Sequence, residues 1–347
     1  MTEPVRISLR VPGTAPMPEL MSFVERIEAA GFDGAGILDS QMIARDTFVI
    51  LGQAAARTKR ITLFPAVTNP FTRHPSVLAG ATQTVEEMAP GRVKCVIGTG
   101  YTSASTIGRK PATLAEMRTA IGAVKTLLAG GTVDWDGTKG RFPFASGRHI
   151  PVLMAASGPK AIELAGEIAD GTMLLVGFNR TLVEWTLGHL ERGAKRSGRR
   201  LEDLDINWAV RVGTASTTAE ARRLARPIVV HWGIRYADQN ERAGMKLARL
   251  EESEEVRKIY PDLAHAQDWE AAIAATSYVS DEVVTELCDA LGLVGTPEYC
   301  GQRLMEMTKL GPRNIYLMPF ETFALPEPEL CAFRDVVFPQ LRAGGLR

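Results

Sequence analysis

Eight times along the chain a short apolar run gives way to a stretch of helical periodicity, and this alternation constrains the possible folds more than any other feature. The apolar runs predict strands at Val5–Val11, Gly34–Asp39, Ile61–Val67, Val93–Gly98, Ile150–Ala156, Thr172–Val176, Ile206–Gly213 and Asn314–Pro319. The amphipathic stretches predict helices at about Pro18–Ala30, Asp46–Arg57, Ser76–Met88, Leu114–Ala129, Pro159–Ile168, Thr181–Ser197, Thr217–His231 and Glu327–Leu341. Strands separated by helices pair in parallel through crossover connections, and eight such units close a barrel. A doubly wound sheet typically needs fewer strands. The expected fold is therefore α/β, a (β/α)8 TIM barrel. Its 347 residues, 45% of them apolar, suffice for a core of that size.

Three segments depart from the rhythm. Residues 131–149, GTVDWDGTKGRFPFASGRH, alternate around Asp136-Gly137 and predict an inserted β-hairpin. Residues 235–292 are long, charged and helical. They read either as an insertion that roofs the active site or builds a subunit interface, or as a solvated helical excursion. Thr296–Leu310 predicts one more helix, with Thr296 as its cap and Pro297 in first position. With no internal repeat, low-complexity tract or clear linker, residues 1–347 read as a single domain carrying two insertions.

Forty basic residues balance forty acidic ones, so no charge asymmetry points to nucleic acid or to a membrane surface. The four cysteines, Cys95, Cys288, Cys300 and Cys331, are widely spaced, which suits a reducing cytoplasm rather than a disulfide framework or a zinc site. Residues 1–17 are too polar for a signal peptide, and no run reaches the ~18 apolar residues of a membrane span. A soluble cytoplasmic protein is expected.

In a barrel the chemistry lies at the C-terminal strand ends. Those ends read Leu38-Asp39-Ser40-Gln41, Val67-Thr68-Asn69, Gly98-Thr99-Gly100-Tyr101, Ser157-Gly158-Pro159-Lys160, Gly177-Phe178, Arg211 and Phe320-Glu321. Gly98, Gly100, Gly158 and Gly177 allow backbone to approach a flat ligand where a Cβ would intrude. Pro159 in a first helical position leaves free amides at the barrel mouth. That suits a phosphate, with Lys160 adding charge, or is an ordinary helix start. No catalytic triad, P-loop or GxGxxG is present, and no His/Cys/acid cluster has metal-ligand spacing. His149, His189, His231 and His265 read as surface or packing residues, and Glu86-Glu87 and Glu251-Glu252 as solvated helix faces. By elimination a bound organic cofactor carries the chemistry.

The segments GFDGAGILDS, VTNPFTRHP, ASGPKAIELAGEIADG and GTPEYCGQRL lead further. In these the chain resembles the bacterial luciferase-like superfamily, particularly the branch containing methylenetetrahydromethanopterin reductase. The likeness runs from about residue 20 to 318 and leaves 235–290 poorly matched. It implies an insertion-bearing (β/α)8 barrel, homodimeric or homotetrameric, that holds coenzyme F420 or, alternatively, FMN at the strand C-terminal ends. It further implies a cis peptide at Ala66–Val67 whose bulge backs the ring, with Thr68 and Thr72 bracing the turn and Asn69 reaching the ring's polar edge. By the same matching Gly98, Thr99 and Gly100 line the ring's face. Ser157, Gly158, Pro159 and Lys160 hold the phosphate, and Gly177 and Phe178 border the chain between ring and phosphate. Several relatives carry Asp-His where this chain has Asp39-Ser40. The substitution argues against sugar-phosphate dehydrogenation and leaves Asp39 as the nearest titratable group, an acid or base, or simply the cap of a turn. Ser40 is the other catalytic candidate. Tyr101 and Trp232 stack on a substrate or merely pack.

The resulting expectation is an oxidoreductase moving hydride between F420 and a small organic substrate. One alternative is an FMN-dependent monooxygenase that uses reduced FMN and oxygen with a flavin reductase partner. A third reading is a flavin-binding barrel without catalysis.

Overall fold

The computed structural model describes residues 3–347, so the first two residues of the expected 1–347 domain lie outside the described residues. Its strands are β1 (Arg6–Val11), β2 (Gly34–Ile37), β3 (Thr62–Pro65), β4 (Cys95–Ile97), β5 (Val133–Trp135), β6 (Thr138–Gly140), β7 (Val152–Ala156), β8 (Gly171–Leu174), β9 (Asp205–Thr214), β10 (Gly292–Gly295) and β11 (Asn314–Pro319). The main sheet runs β3-β2-β1-β11-β9-β8-β7-β4. Bridges Leu63↔Val93 and Thr68↔Ile97 bring its two ends together, so the strands form a nearly closed eight-stranded parallel barrel. The all-buried strands β2, β4 and β8 are the continuous apolar runs such a barrel needs.

One compact unit comprises Ser8–Leu174 with His189–Asn207. Its helices start where local chemistry tells them to. Asp46 accepts from the amides of Phe48 and Val49, and Thr113 and Glu116 form a reciprocal capping box. The hairpin β5–β6 turns at Asp136 and Gly137, both at positive φ, as a two-residue hairpin turn requires. Its Trp135 ring lies 4.5 Å from the His74 ring. The helices Pro159–Ile168 and Arg180–Arg196 approach so closely that a Cβ on Gly193 would lie 1.9 Å from the Glu163 carbonyl oxygen.

The other unit comprises residues 3–7, Leu175–Gly188 and Trp208–Arg347. Here β10 pairs in parallel with β9, Gly292 opposite Arg211. Between residues 237 and 291 lie the helices Ala237–Arg242, Glu254–Arg257, Trp269–Ala275 and Asp281–Leu291. The last three share an apolar cluster with the helix Thr218–Arg235, in which Trp232, Val256, Trp269, Leu287 and Leu291 are buried. Trp269 Nε1 donates to the Leu224 carbonyl at 2.9 Å, and Arg226 binds the Val279 carbonyl at 2.5 Å.

Several sequence readings need correction. β10 has no counterpart among the expected strands: Gly292-Leu-Val-Gly295 is short and half glycine, and only its place beside β9 makes it a strand. The last helix runs unbroken from Glu327 to Ala343 as expected, but with a wider turn at Phe333–Val337 that the sequence does not announce. Glu86 is not solvated. It is 2% exposed and accepts from the Gly91 amide at 2.7 Å, closing the turn after its helix.

Candidate active site

The turn after β3 is built from its own side chains. Asn69 is fully buried, its Oδ1 accepting from the amides of Phe71 and Thr72 at 3.0 Å each, its Nδ2 donating to Ser103 Oγ at 3.0 Å. That bonding is why an asparagine stands here: its amide supplies both the acceptor for a tight turn and a donor across to the next strand end. The Thr68 amide donates to the Val96 carbonyl and the Gly98 amide to the Thr68 carbonyl, so the turn is tied to β4 at two points. The Ala66–Val67 peptide is cis. A Cβ on Gly98 would stand 2.8 Å from Val67 Cγ2, and one on Gly100, at φ +77°, 2.8 Å from Asn69 Cβ. Glycine at both positions is therefore first a requirement of this close packing.

Beyond β2 the chain leaves the strand at Leu38, and Asp39 and Ser40 follow, 3% and 7% exposed. Asp39 Oδ2 accepts from Arg73 Nη1 at 2.7 Å, and Oδ1 from Gln41 Nε2 at 3.1 Å. Arg73 also reaches Asp46 Oδ2 at 2.6 Å and lies over the Phe48 ring. Burial pushes the Asp39 carboxyl above its ordinary value, against the pull of the Arg73 guanidinium. The Thr68 hydroxyl also helps hold it down from beside the carboxylate, without completing a hydrogen bond of normal geometry. Asp46 is also partly desolvated, yet the bonds from Arg73 and from two amides hold it below its ordinary value. Arg73 lies within the VTNPFTRHP segment and Gln41 at the β2 end, but the sequence assigns neither a partner. Only a three-dimensional pairing identifies them.

Three polar atoms around this pair are buried and have no hydrogen-bond partner: Gln41 Oε1, Thr68 Oγ1 and Thr72 Oγ1. Such atoms are normally satisfied, so three of them on the two loops this pair joins suit a polar ligand there.

After β7, Ser157 and Gly158 lead into the helix Pro159–Ile168. Gly158 is its N-cap, no side chain caps the end, and a Cβ there would meet nothing within 4 Å. The first amides of the helix thus have no side-chain cap, with Pro159 placing its missing N–H where none is needed. Lys160 is exposed and lines a hollow of about 240 Å³ with Arg118, Glu167 and Arg196.

Gly177 and Phe178 belong to the other compact unit. Gly177 has φ +95°, and a Cβ there would lie 2.5 Å from Leu182 Cδ1. Phe178 is fully buried, its amide donating to the Ala290 carbonyl and its carbonyl accepting from Arg303 Nη2 at 2.9 Å. In that same unit Trp232 is buried and stacks on Tyr236 with centroids 4.0 Å apart. Tyr101, by contrast, is 48% exposed. His265 Nδ1 lies 2.9 Å from Asp262 Oδ1, and desolvation drives the His231 pKa down to about 4 although the ring keeps some contact with solvent. Neither histidine is an ordinary surface residue. Burial, then the nearby Glu270, raises the Glu321 carboxyl above its usual value. Among the described residues no group of three or more His, Cys, Asp or Glu is placed to hold a metal.

Known proteins share both sequence and fold with this chain. It is 27% identical over 313 residues to the 5,10-methylenetetrahydromethanopterin reductase of Methanolobus tindarius, covering 86% of this chain and 90% of that protein. It is 32% identical over 256 residues to the F420-dependent glucose-6-phosphate dehydrogenase of Beutenbergia cavernae, covering 66% of this chain and 72% of the relative. The solved coenzyme F420-dependent tetrahydromethanopterin reductase of Methanopyrus kandleri superposes with a TM-score of 0.79 at 22% identity, over 97% of this chain and 99% of that one. The profile of the family described as luciferase-like monooxygenase matches residues 4–314. With a parallel barrel of this kind and a match across most of its length, the chain belongs to the luciferase-like monooxygenase family.

Proposed function

We propose that the chain is an oxidoreductase that transfers a hydride between coenzyme F420 and a small organic substrate. The observation that carries this reading is a set of unmet hydrogen-bonding groups at the strand ends. The helix opening at Gly158-Pro159 has amides with no side-chain cap and room around Gly158, and Gln41, Thr68 and Thr72 keep buried polar atoms unsatisfied. A flat ring with a phosphate-bearing tail fits both. Relatives named for F420 support the deazaflavin over FMN.

When bound, the deazaflavin ring supplies the hydride donor or acceptor. The residues of this chain bind and orient it. Ser157, Gly158, Pro159 and Lys160 take the phosphate, the first three through the helix opening and Lys160 as a mobile charge. Ala66, Val67 and Thr68 back the ring, Asn69 holds their turn in shape, and Gly98, Thr99 and Gly100 leave its face clear. Gly177 and Phe178 take the linking chain. Asp39 is the titratable group at the site, its raised pKa bringing proton transfer closer to neutral pH, and Ser40 is the adjacent hydroxyl. Residues 1–347 form one domain in this reading, with 131–149 and 235–292 as insertions. The enzyme works in the cytoplasm as a homodimer or homotetramer. Four free cysteines agree with a reducing compartment, and no helix among the described residues is long and apolar enough to cross a membrane.

The family's own description favours one other reading, a monooxygenase that takes reduced FMN from a flavin reductase and reacts with oxygen. Titration of the purified protein with F420 and with FMN, followed by fluorescence and absorbance, tests the two. Saturable F420 binding with no FMN affinity is expected. FMN binding with oxygen consumption in the presence of a flavin reductase overturns the proposal. Tight binding of either ring with no turnover on a substrate panel marks a non-catalytic carrier.

A further inference from the structure

Asn69 is the residue that the family resemblance sends to the polar edge of the ring, yet it is already committed to its turn. Its oxygen takes two amides, and its nitrogen binds Ser103. An unspent acceptor lies one strand over, after β2. Gln41 Nε2 donates to Asp39 Oδ1, which fixes the orientation of the amide. The other end of that amide, Oε1, is therefore an acceptor, and it is buried with no donor. Asp39 cannot swing away to release it, because Arg73 holds its second oxygen at 2.7 Å and is itself held by Asp46 at 2.6 Å. Two hydroxyls belong to the loop that Arg73 ties to Asp39: Thr68 Oγ1, which lies against the Asp39 carboxylate, and Thr72 Oγ1, next to Arg73 in the chain, both buried and neither completing a hydrogen bond of normal geometry. One fixed acceptor accompanied by two hydroxyl donors is the complement of a cyclic imide, whose N–H is flanked by two carbonyl oxygens.

We propose that Gln41 reads the imide edge of the bound ring, Oε1 accepting the imide N–H while the hydroxyls of Thr72 and Thr68 serve the flanking carbonyls. Asp39 and Arg73 are the positioning residues that hold the Gln41 amide in that orientation. This inference rests on the cofactor reading above and applies equally to F420 and FMN, which share the imide.

The full-length protein is titrated with F420 and with F420 methylated on the imide nitrogen, and in parallel with FMN and its 3-methyl derivative. Wild type, Gln41→Leu and Thr72→Val are compared. For the ring that wild type binds, imide methylation is expected to weaken wild-type affinity by at least about fivefold, the worth of one buried hydrogen bond. Gln41→Leu is expected to bind parent and methylated rings within about twofold of each other, both weakly. Thr72→Val, which leaves the Gln41–Asp39 bond in place, is expected to lose affinity for the parent ring by about threefold or more. Wild type that ignores methylation, or Gln41→Leu that binds the parent ring as tightly as wild type, overturns the proposal. If Gln41→Leu fails to fold, wild type with the methylated ring and Thr72→Val decide it. Wild type that binds neither ring overturns the cofactor reading and this inference with it, a result distinct from tight binding insensitive to residue 41.

Discussion

Arg73 donates to Asp39 across 2.7 Å, although 34 positions separate them in the chain. The pair joins the end of β2 to the turn after β3, and through Asp46 it reaches the first turn of the helix Thr47–Arg57. Both ends of the loop after β2 are thus bound to the turn after β3 by one guanidinium. Only arginine presents several donors in a rigid fork that can meet two carboxylates at once.

Replacing Arg73 with Met should leave the Asp39 carboxylate buried without its countercharge. We expect a loss of about 3 kcal/mol in urea unfolding at neutral pH. The sign with pH follows from the raised Asp39 pKa. Arg73 pulls that pKa down, so its loss raises it further, and the defect should be fullest above the carboxylate range and shrink as the pH falls through it. Adding Asp39→Asn should restore part of the loss at pH 7. A defect that is constant with pH counts against this account.

Gly158 offers a cleaner separation of stability from binding. Its φ of −81° suits any residue, and a Cβ there meets open space. Gly158→Asp should cap the helix and stabilise the protein by a few tenths of a kcal/mol, visible as an unchanged or slightly higher Tm. The same carboxylate occupies the amides proposed for the phosphate and repels it. F420 affinity should fall by at least about tenfold, on the order of 1.4 kcal/mol. Unchanged F420 affinity in a well-folded variant would remove the helix opening from the site.

Gly193 is different, because a Cβ there would press on backbone. The Glu163 carbonyl oxygen lies 1.9 Å from that position and its carbon 2.7 Å. No rotamer change relieves such a contact. Gly193→Ala should destabilise by roughly 3 kcal/mol or prevent folding, although alanine is the better helix former. A neutral or stabilising result in thermal unfolding would show that the two helices can part at little cost.

His231 sets an acid limit. Its pKa falls from 6.5 to about 4 because its surroundings desolvate the imidazolium. The unfolded chain then binds a proton the fold refuses, so stability should decline as the pH drops from about 6.5 towards 4. The loss expected is roughly 2–3 kcal/mol, since the ring retains some solvent contact. Asp262 pulls the value up while Arg211 and His265 push it down. His231→Gln should flatten that limb of the stability profile measured between pH 7 and pH 4.

The parts of the protein legible from residues alone are those decided within about four positions. The helix Pro159–Ile168 and the strand Asn314–Pro319 begin and end where the local pattern puts them. The helix Pro297–Thr308 starts on the Thr296-Pro297 signal. Caps, proline positions and apolar periods act over one turn, so a single stretch carries the whole instruction. The eightfold alternation likewise contains the barrel, because parallel strands joined by helices have few ways to bury both faces. The strand β10, the burial of Glu86 and the pairing of Arg73 with Asp39 and Asp46 were decided by tertiary structure. So was the withdrawal of Asn69 into its own turn. Each depends on groups brought together only when the sheet closes. At that point desolvation makes a polar side chain take whichever partner lies within hydrogen-bond reach, regardless of its distance along the chain.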